Sequence, residues 1–440
     1  MQKPLIAVLL ASALFTLDAQ AADLIQVYQQ ALANDATYAS ARAALAAGQE
    51  SITQGRSGLL PTIGVTGDVT KNNQTFTPWG APVSGGSNFY THDVQVTLQQ
   101  PLFRWDRWET YQQSKLQQAI SEAQFAQAQQ DLITRVAQAY FDVLAAQDTL
   151  ESTRAQKVAT TEQLASAKRN FEVGTQTITD THEAQAAFDL VVSQEIAAVN
   201  DLENKKTALQ AIIGAPPAAL ATLRTGLSLS APQPANVDQW VSAAENQNYA
   251  VTVAQLQLAS AERDISKNRA GHYPTLDLVA SSAHRNTGGQ YDSSGRATGN
   301  AIGVQYSIPI FQGFAVTSRV RQSIALEDKA RNDLEANRRN AALNARQSFL
   351  GVNSGLAQVK ALEAAEVSSN SALESNKLGY QVGVRINIDV LNAQRQLYQT
   401  RTDLARARYN TILAGLRLKA AAGSLREEDL QPINALLQQP

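Results

Sequence analysis

The 440-residue chain contains no cysteine. A disulfide, a thiolate metal site and a catalytic cysteine are therefore excluded, and no cysteine is available for lipid attachment behind a cleaved leader. Aromatic residues make up only 6% of the chain and proline occurs 13 times. This composition favours long helices with narrow apolar seams over a bulky globular core. The net charge of −2 argues against nucleic acid as a partner.

After its first 21 residues the chain lacks any stretch that is long and apolar enough for a transmembrane helix. At the N-terminus, Lys3 precedes a short apolar run over residues 5–17, and Ala19-Gln20-Ala21 follows. A basic start, a short apolar region and a small-x-small site predict a secretory signal peptide over residues 1–21. The alternative is an N-terminal membrane anchor. If the mature chain spans a membrane, it must do so with β-strands.

Residues typical of catalysis or metal binding are few and scattered. The four histidines lie on different predicted elements without metal-type spacing: His92, His182, His272 and His284. No nucleophile motif such as G-x-S-x-G accompanies them. The sequence therefore predicts no catalytic residue, no metal and no cofactor, and a hydrolase is the least favoured functional class.

One segment occurs twice, at residues 173–185 and 382–394. Each copy begins with Val-Gly, has an Asp six residues after the Gly, and ends with Ala-Gln. Two copies in register indicate that the chain is an internal duplication. The simpler alternative is two helical-hairpin turns without a shared function.

Each copy has the pattern of a helix end, a tight turn and a helix start. Gly174 and Gly383 are predicted to adopt the left-handed conformation that ends a helix. Asp180 and Asp389 are predicted N-caps of the helices that follow. Glu183, three residues after Asp180, is placed to complete a capping box.

Helical and strand periodicities divide the chain into two repeats of the same order: helix, β-hairpin, long helix, tip and helix. The first repeat spans residues 22–230, with a helix over about 23–56, a hairpin over 61–101, a long helix over about 104–171, a tip over 171–185 and a helix ending near 213. The second spans 231–423, with a helix over about 238–270, a hairpin over 274–311, a long helix over about 315–378, a tip over 379–394 and a final helix. Residues 424–440 form a polar C-terminal tail.

The hairpins are predicted from period-two alternation. The clearest case is Ile302, Val304, Tyr306, Ile308 and Ile310, which alternate with small or polar residues. Polar loops over residues 71–87 and 286–299 connect the strands of each hairpin. A strand of about 9–11 residues is long enough to span a bilayer when it is tilted.

Element lengths decide the predicted architecture. Each long helix is about 100 Å long at 1.5 Å per residue, and the flanking helices are about half as long.

Aromatic residues just past the strands resemble an interfacial girdle: Phe103, Trp105, Trp108, Phe311 and Phe314. Core aromatics at a strand–helix junction are the alternative. Four strands cannot close a barrel, so copies must share one; two copies give eight strands and three give twelve, which leaves a passage. We expect the trimer.

Several segments resemble the TolC family of bacterial outer-membrane exit ducts. They are residues 23–31, the two proline-flanked hairpins, Gly379-Tyr380-Gln381-Val382-Gly383-Val384-Arg385 and Asp389-Val390-Leu391. The resemblance implies a mixed α and β membrane protein: a homotrimeric channel-tunnel in which a twelve-stranded outer-membrane barrel continues into a long periplasmic helical barrel. It also implies passive transport of drugs or secreted proteins, with a periplasmic adaptor and an inner-membrane pump of the RND or ABC type as partners.

The resemblance further implies roles for individual residues. Gate links correspond to Thr179, Asp180, Tyr380 and Arg385, with Arg385 and Asp180 as a charge-assisted pair. The pore constriction corresponds to Asp389 and Asn392. The family pattern has an acidic residue at both positions, whereas the second is Asn392 here. A trimer would therefore carry three carboxylates at the constriction instead of six. The adaptor-docking turns correspond to Val173, Gly174, Val382 and Gly383. A periplasmic coiled-coil structural or adhesive protein without a pore is the competing function.

Overall fold

The computed structural model describes residues 22–76, 85–224, 226–288 and 295–438. The predicted signal peptide lies outside these residues. Two compact units share the chain, and each takes residues from both sequence repeats. The tip unit lies within residues 1–40, 128–248 and 341–440, and the strand unit comprises residues 41–127 and 249–340.

Long helices dominate the chain, as predicted. The helices, in chain order, are α1 Leu24–Asn34, α2 Ala36–Gln49, α3 Ser51–Ser57, α4 Trp105–Glu172, α5 Ile178–Ile213, α6 Val237–Gln247, α7 Tyr249–Arg269, α8 Ala315–Gln381, α9 Asn387–Ala421 and α10 Leu430–Asn434. Helices α4 and α8 contain 68 and 67 residues. No helix among the described residues is long and apolar enough to cross a bilayer.

The helices before the hairpins are interrupted, so the single helices predicted over 23–56 and 238–270 are wrong. Asp35 and Asn248 adopt extended backbone conformations that end α1 and α6. The Asp35 carboxylate then accepts a hydrogen bond of 2.6 Å from the Tyr38 N–H and so begins α2. A smaller break at Glu50 separates α2 from α3.

The strand unit contains a four-stranded antiparallel sheet in the order β1-β2-β4-β5. Its strands are β1 Thr62–Phe76, β2 Gly85–Phe103, β4 Thr275–Thr287 and β5 Gly295–Ser307. The two short strands β3 Thr222–Leu223 and β6 Leu437–Gln438 pair in the tip unit. All four long strands begin or end inside the predicted loops, so the described parts of residues 71–87 and 286–299 are strand except for Gly288. The prediction for Ile308 and Ile310 is also wrong, because β5 ends at Ser307, before Pro309, which lacks a backbone donor.

Cross-strand register gives the sheet two chemically different faces. The apolar face includes Val65 opposite Val96 and Ala280 opposite Ile302. The polar face carries mainly Thr, Gln, Ser, Gly, Ala and charged residues on the alternate positions, with Val279 as an apolar exception. Large apolar side chains such as Ile63, Val65 and Val304 are exposed. The predicted alternation is therefore confirmed, and its apolar side is uncovered in a single chain.

The aromatic residues past the strands are exposed as well. The Phe311 and Phe314 rings contact each other edge to face, with centroids 5.5 Å apart. Their exposure rules out the alternative that these aromatics form a core within one chain. Burial elsewhere follows helical spacing: Ile133, Ala137, Tyr140 and Leu144 on α4 lie three or four residues apart and are all buried.

The C-terminal segment is more ordered than a polar tail. After α9 it forms a 3-10 turn over Glu427–Asp429, then α10 and β6. Leu425, Leu430 and Leu437 are buried in the tip unit. Apolar residues spaced by five and seven positions anchor this segment although its overall composition is polar.

Candidate functional site: the two tip turns

The turns after α4 and α8 have the same backbone geometry. Gly174 and Gly383 adopt φ of 77° and 79°, as predicted from the glycines. In the first turn, Gly174 N–H donates to Phe171 O (2.9 Å) and Thr175 N–H donates to Asn170 O (2.9 Å). In the second turn, Gly383 and Val384 donate to Tyr380 O and Gly379 O in the same way. Both turns are therefore Schellman motifs, in which a left-handed glycine satisfies the last carbonyls of a helix.

The predicted N-cap at Asp180 is wrong. Thr177 is the N-cap of α5, and Asp180 is its N3 residue. The Asp180 carboxylate accepts from the Thr177 N–H (3.1 Å), and the Thr177 hydroxyl oxygen accepts from the Asp180 N–H (3.3 Å). This is a reciprocal capping box, so Glu183 is not the acidic partner that closes it.

Asp389 also lies at N3 and not at the N-cap. Its carboxylate accepts from the N–H of Ile386 at 3.4 Å. Because isoleucine has no side-chain acceptor, only half of a capping box exists here. Arg385 lies 3.7 Å from the same carboxylate. Within one chain the Arg385 guanidinium therefore lies beside Asp389, and the Asp180 carboxylate belongs to the α5 capping box. The pair of Arg385 with Asp180 stays a prediction.

A buried amide joins the two halves of the site. Asn387, the first residue of α9, is 0% exposed. Its Oδ1 accepts from Gln163 Nε2 on α4 at 2.6 Å, and its Nδ2 donates to the Asp180 carbonyl at 3.1 Å. One side chain thus connects α4, the first turn of α5 and the first turn of α9.

A second link involves Tyr380, one of the predicted gate residues. Its hydroxyl accepts a hydrogen bond from Gln176 Nε2 in the first turn. The ring packs beside the buried side chains of Leu373, Val390 and Leu397. Tyr380 is therefore held at both its polar and its apolar end.

The other predicted residues are more accessible. Thr179 is exposed on the first turn of α5. Asn392, three residues after Asp389, is exposed and accepts a hydrogen bond from the Arg395 guanidinium. Val173 and Val382 are 72% and 65% exposed, which leaves both Val-Gly turns available for contacts with other molecules.

Three amide residues were missed by the sequence reasoning: Gln163, Gln176 and Asn387. A signal for Asn387 exists, because it shares a helical face with Val390, Leu391 and Gln394, all of them buried. A polar residue on a buried face requires hydrogen-bond partners. No comparable signal marks Gln163 or Gln176, whose partners lie more than 200 residues away in sequence.

The model of the family described as outer membrane efflux protein matches residues 27–215 and again residues 240–424. The outer membrane protein TolC of Vibrio cholerae is 34% identical over 98% of this chain and 98% of that protein. The proteases secretion protein PrtF of Dickeya chrysanthemi is 29% identical over 96% of this chain and 92% of that protein. The crystal structure of the outer membrane protein VceC from Vibrio cholerae shares the fold, with a TM-score of 0.78 at 18% identity over 91% of this chain and 96% of that chain.

Two matches to one family model agree with the internal duplication predicted from the tip segments. The matched residues cover both tip turns and all four long strands. The predicted resemblance is therefore confirmed, and the chain belongs to the outer membrane efflux protein family, among the TolC-like channels.

Proposed function

We propose that three copies of this chain form a passive exit duct through the outer membrane for toxic compounds, for secreted proteins, or for both. Family membership supports efflux, and the similarity to the secretion protein PrtF supports protein export. The duct performs no chemistry of its own. The single observation that carries the proposal is a sheet with one apolar and one polar face attached to two helices of 68 and 67 residues.

The unpaired edge strands of the single chain support the trimer. In the four-stranded sheet, β1 and β5 are edge strands, and every residue of β5 is exposed. Open strand edges are not viable in lipid, because their backbone N–H and C=O groups lack partners there. Two copies would give eight strands with a filled interior, whereas three give twelve strands around a passage.

The partners we propose are a periplasmic adaptor and an inner-membrane pump of the RND or ABC type. The adaptor docks on the exposed Val-Gly turns at Val173, Gly174, Val382 and Gly383. Both glycines have open space around the position of a Cβ atom, so nothing within the chain blocks the approach of another protein.

The gate we propose lies beside these turns. Thr179, Asp180, Tyr380 and Arg385 restrain the mouth of the duct. The exposed guanidinium of Arg385, which lies 3.7 Å from Asp389 in its own chain, also binds Asp180 of a neighbouring copy. Asp389 and Asn392 line the narrowest point. Because only one of the two is acidic, the trimer carries three carboxylates there.

Planar-bilayer recording tests the duct and its gate together. The purified protein should conduct ions, and combining Tyr380→Phe with Arg385→Ala should raise the conductance because the mouth loses its restraints. Arg406→Ala is the matched control, since it removes an equal charge from an exposed position of α9, the helix that follows Arg385. No conductance in any variant would favour a structural or adhesive protein without a pore, and unchanged conductance in the double variant would remove these residues from the gate.

Cargo is tested in cells. Deletion of the gene should sensitise the bacterium to drugs and detergents if the duct serves efflux, and should abolish export of a protease or toxin if it serves secretion. Complementation by the wild-type chain but not by a variant lacking the sheet separates the duct from indirect effects.

A further inference from the structure

One cross-strand row on the polar face of the sheet concentrates charge. Asp68 of β1 lies opposite Asp93 of β2, Asp93 lies opposite Arg285 of β4, and Arg285 lies opposite Ala297 of β5. We call these three charged residues the charged row. They lie within the strand unit, and none of them belongs to the gate or constriction described above.

The neighbouring rows on the same face are uncharged. On one side they contain Thr66, Gln95, Ala283 and Gly299, and on the other side Thr70, Thr91, Thr287 and Gly295. The charged row is therefore flanked on both sides by small and neutral side chains. The acidic residue of β4 on this face, Asp277, is buried and paired with Arg104.

Contacts within the row leave one carboxylate without a counter-charge. Arg285 Nε donates to Asp93 Oδ1 at 2.6 Å, and this pair is partly exposed. Asp68 Oδ2 accepts from the Thr70 hydroxyl at 2.6 Å, and it forms no ion pair with any described residue. Like charges directly opposite each other destabilise a sheet, so the Arg285 and Thr70 contacts explain how two aspartates are tolerated side by side.

The row faces open space. A hollow of about 540 Å³ lies over it, lined by Thr66, Gln95, Ala283 and Gly299 together with the charged residues. On β5 the row ends at Ala297, and a Cβ atom on the neighbouring Gly299 would meet nothing within 4 Å. The charged groups therefore project into a cavity, where they act on whatever passes the polar face.

We propose that the charged row is a second determinant of ion selectivity, which favours cations in the strand region independently of Asp389. This inference rests on the proposed duct, because the polar face lines a passage only when the sheet is closed. Two carboxylates and one guanidinium leave one net negative charge per chain, and hence three in a trimer. That equals the charge which Asp389 supplies.

Salt concentration gives the proposal a physical signature. The Debye length is about 30 Å at 0.01 M salt and about 3 Å at 1 M. A ring of fixed charge in a water-filled passage therefore acts across the passage in dilute salt and only at the wall in concentrated salt. Cation preference due to the charged row must weaken as the salt concentration rises.

The test is the reversal potential in planar bilayers under a KCl gradient, measured in an Asp389→Asn background that removes the other carboxylate ring. In this background the channel should remain cation-preferring at low salt. Adding Asp68→Asn, which keeps the side-chain size, should shift the reversal potential towards zero, and adding Arg285→Gln should shift it further towards cations. Both shifts should shrink at 1 M salt.

Lys71→Gln is the matched control. It removes one positive charge, as Arg285→Gln does, but Lys71 lies on the apolar face opposite Tyr90, so the reversal potential should not change. An unchanged reversal potential for Asp68→Asn at low salt, with normal conductance, would overturn the role of the charged row and leave the duct intact. Absence of conductance in every variant and in the wild-type chain would instead overturn the duct.

Discussion

Asn387 shows how one buried amide can organise the tip. It donates to the Asp180 carbonyl and accepts from Gln163, so that two long-range hydrogen bonds depend on a single side chain. A buried polar group that loses its partners costs more free energy than the bonds themselves contribute. Asn387 therefore positions the first turns of α5 and α9 against α4, beside the gate that we propose.

We predict that Asn387→Ala lowers the free energy of unfolding by about 1–3 kcal/mol, because Gln163 Nε2 and the Asp180 carbonyl are left unsatisfied. Asn392→Ala is the control on the same helix; its side chain is exposed, and the change should stay within about 0.5 kcal/mol. Guanidinium unfolding followed by circular dichroism gives both values. Equal effects for the two variants would show that Asn387 does not depend on its buried contacts.

Asp35 is a residue whose role depends on pH. Its buried carboxylate caps α2 and accepts two hydrogen bonds from Arg135, of 3.0 and 3.1 Å. Burial alone would raise the pKa of this carboxyl, but the hydrogen bonds from Arg135 and the Tyr38 N–H outweigh it and hold the pKa below its ordinary value. The unfolded chain then binds the proton more readily, so the contribution of Asp35 to stability rises with pH.

We predict that stability supplied by Asp35 is present above the ordinary aspartate pKa of about 3.9 and is lost as the pH falls through the lower folded-state value. Asp35→Asn should therefore reduce the difference in unfolding free energy between pH 7 and pH 3, with its largest destabilisation at neutral pH. Asp201→Asn, at an exposed position of α5, serves as the control. The same pH dependence in wild type and Asp35→Asn would contradict the assignment.

Residue identity alone predicted the tip glycines but not the caps. Glycine adopts the left-handed conformation without steric cost, so its presence predicts such a turn. Both Gly174 and Gly383 have positive φ. A cap depends on which residue starts the helix, and Thr177 and Asp180 are both acceptable cap residues by type. The Arg385–Asp389 contact was missed because the resemblance assigned Asp180 to Arg385. The turn itself brings Asp389, four residues after Arg385, to 3.7 Å from the guanidinium.

Among the secondary-structure elements, three helices end with the same backbone geometry. Helices α4, α8 and α9 close with Gly174, Gly383 and Gly423, each donating to the carbonyl three residues earlier while the next residue donates to the carbonyl five residues before itself. Their surroundings differ. A Cβ atom at Gly174 would meet nothing within 4 Å, whereas at Gly423 it would lie 2.6 Å from the Gln247 carbonyl carbon and closer still to its oxygen.

We predict that Gly423→Ala destabilises the chain more than Gly174→Ala. Both variants incur the strain of a left-handed alanine, about 1–2 kcal/mol, since φ is 73° and 77°. Only Gly423→Ala adds overpacking against backbone, which costs about 1–3 kcal/mol more. Thermal unfolding of the two variants measures the difference, with Gly383→Ala as a second control in open space. Similar losses of stability in all three variants would mean that the backbone around Gln247 moves aside at little cost in free energy.

Element lengths were more predictable than element boundaries. The long helices have uninterrupted helical periodicity, and the structure confirms them to within about three residues. The breaks at Asp35 and Asn248 were missed because neither residue is a glycine or proline. Asp35 instead ends α1 by capping α2, and Asn248 donates from Nδ2 to the Ala421 carbonyl at 2.9 Å, contacts that the local pattern does not contain.

For the whole molecule, the unpaired strand edges indicate that copies of the chain associate through their sheets. Strands β1 and β5 each pair on one side only within the sheet. Exposed edges are templates for pairing with another chain, and three identical copies satisfy them all if β1 of one copy pairs with β5 of the next in a closed ring. A two-copy ring or an open filament would satisfy the same backbone groups, so the number of copies must be measured.

Introduced cysteines provide this measurement, because the chain has none of its own. We predict that Thr66→Cys on the polar face of β1, combined in turn with Ala297→Cys, Gly299→Cys, Ala301→Cys or Gly303→Cys on the same face of β5, cross-links neighbouring copies. Disulfides form only when Cα atoms lie about 4.4–6.8 Å apart, so one position should react best and reveal the register.

Non-reducing electrophoresis of that best pair should show dimers and trimers and no larger species, since a closed ring of three has only three interfaces. Thr66→Cys with Ile302→Cys is the matched control: Ile302 lies on the apolar face, so its thiol points away and cross-linking should be weak. A product that stops at the dimer would indicate eight strands with a filled interior, and a continuing ladder would indicate an open assembly. Because only the closed trimer leaves a passage, either result would contradict the proposed duct.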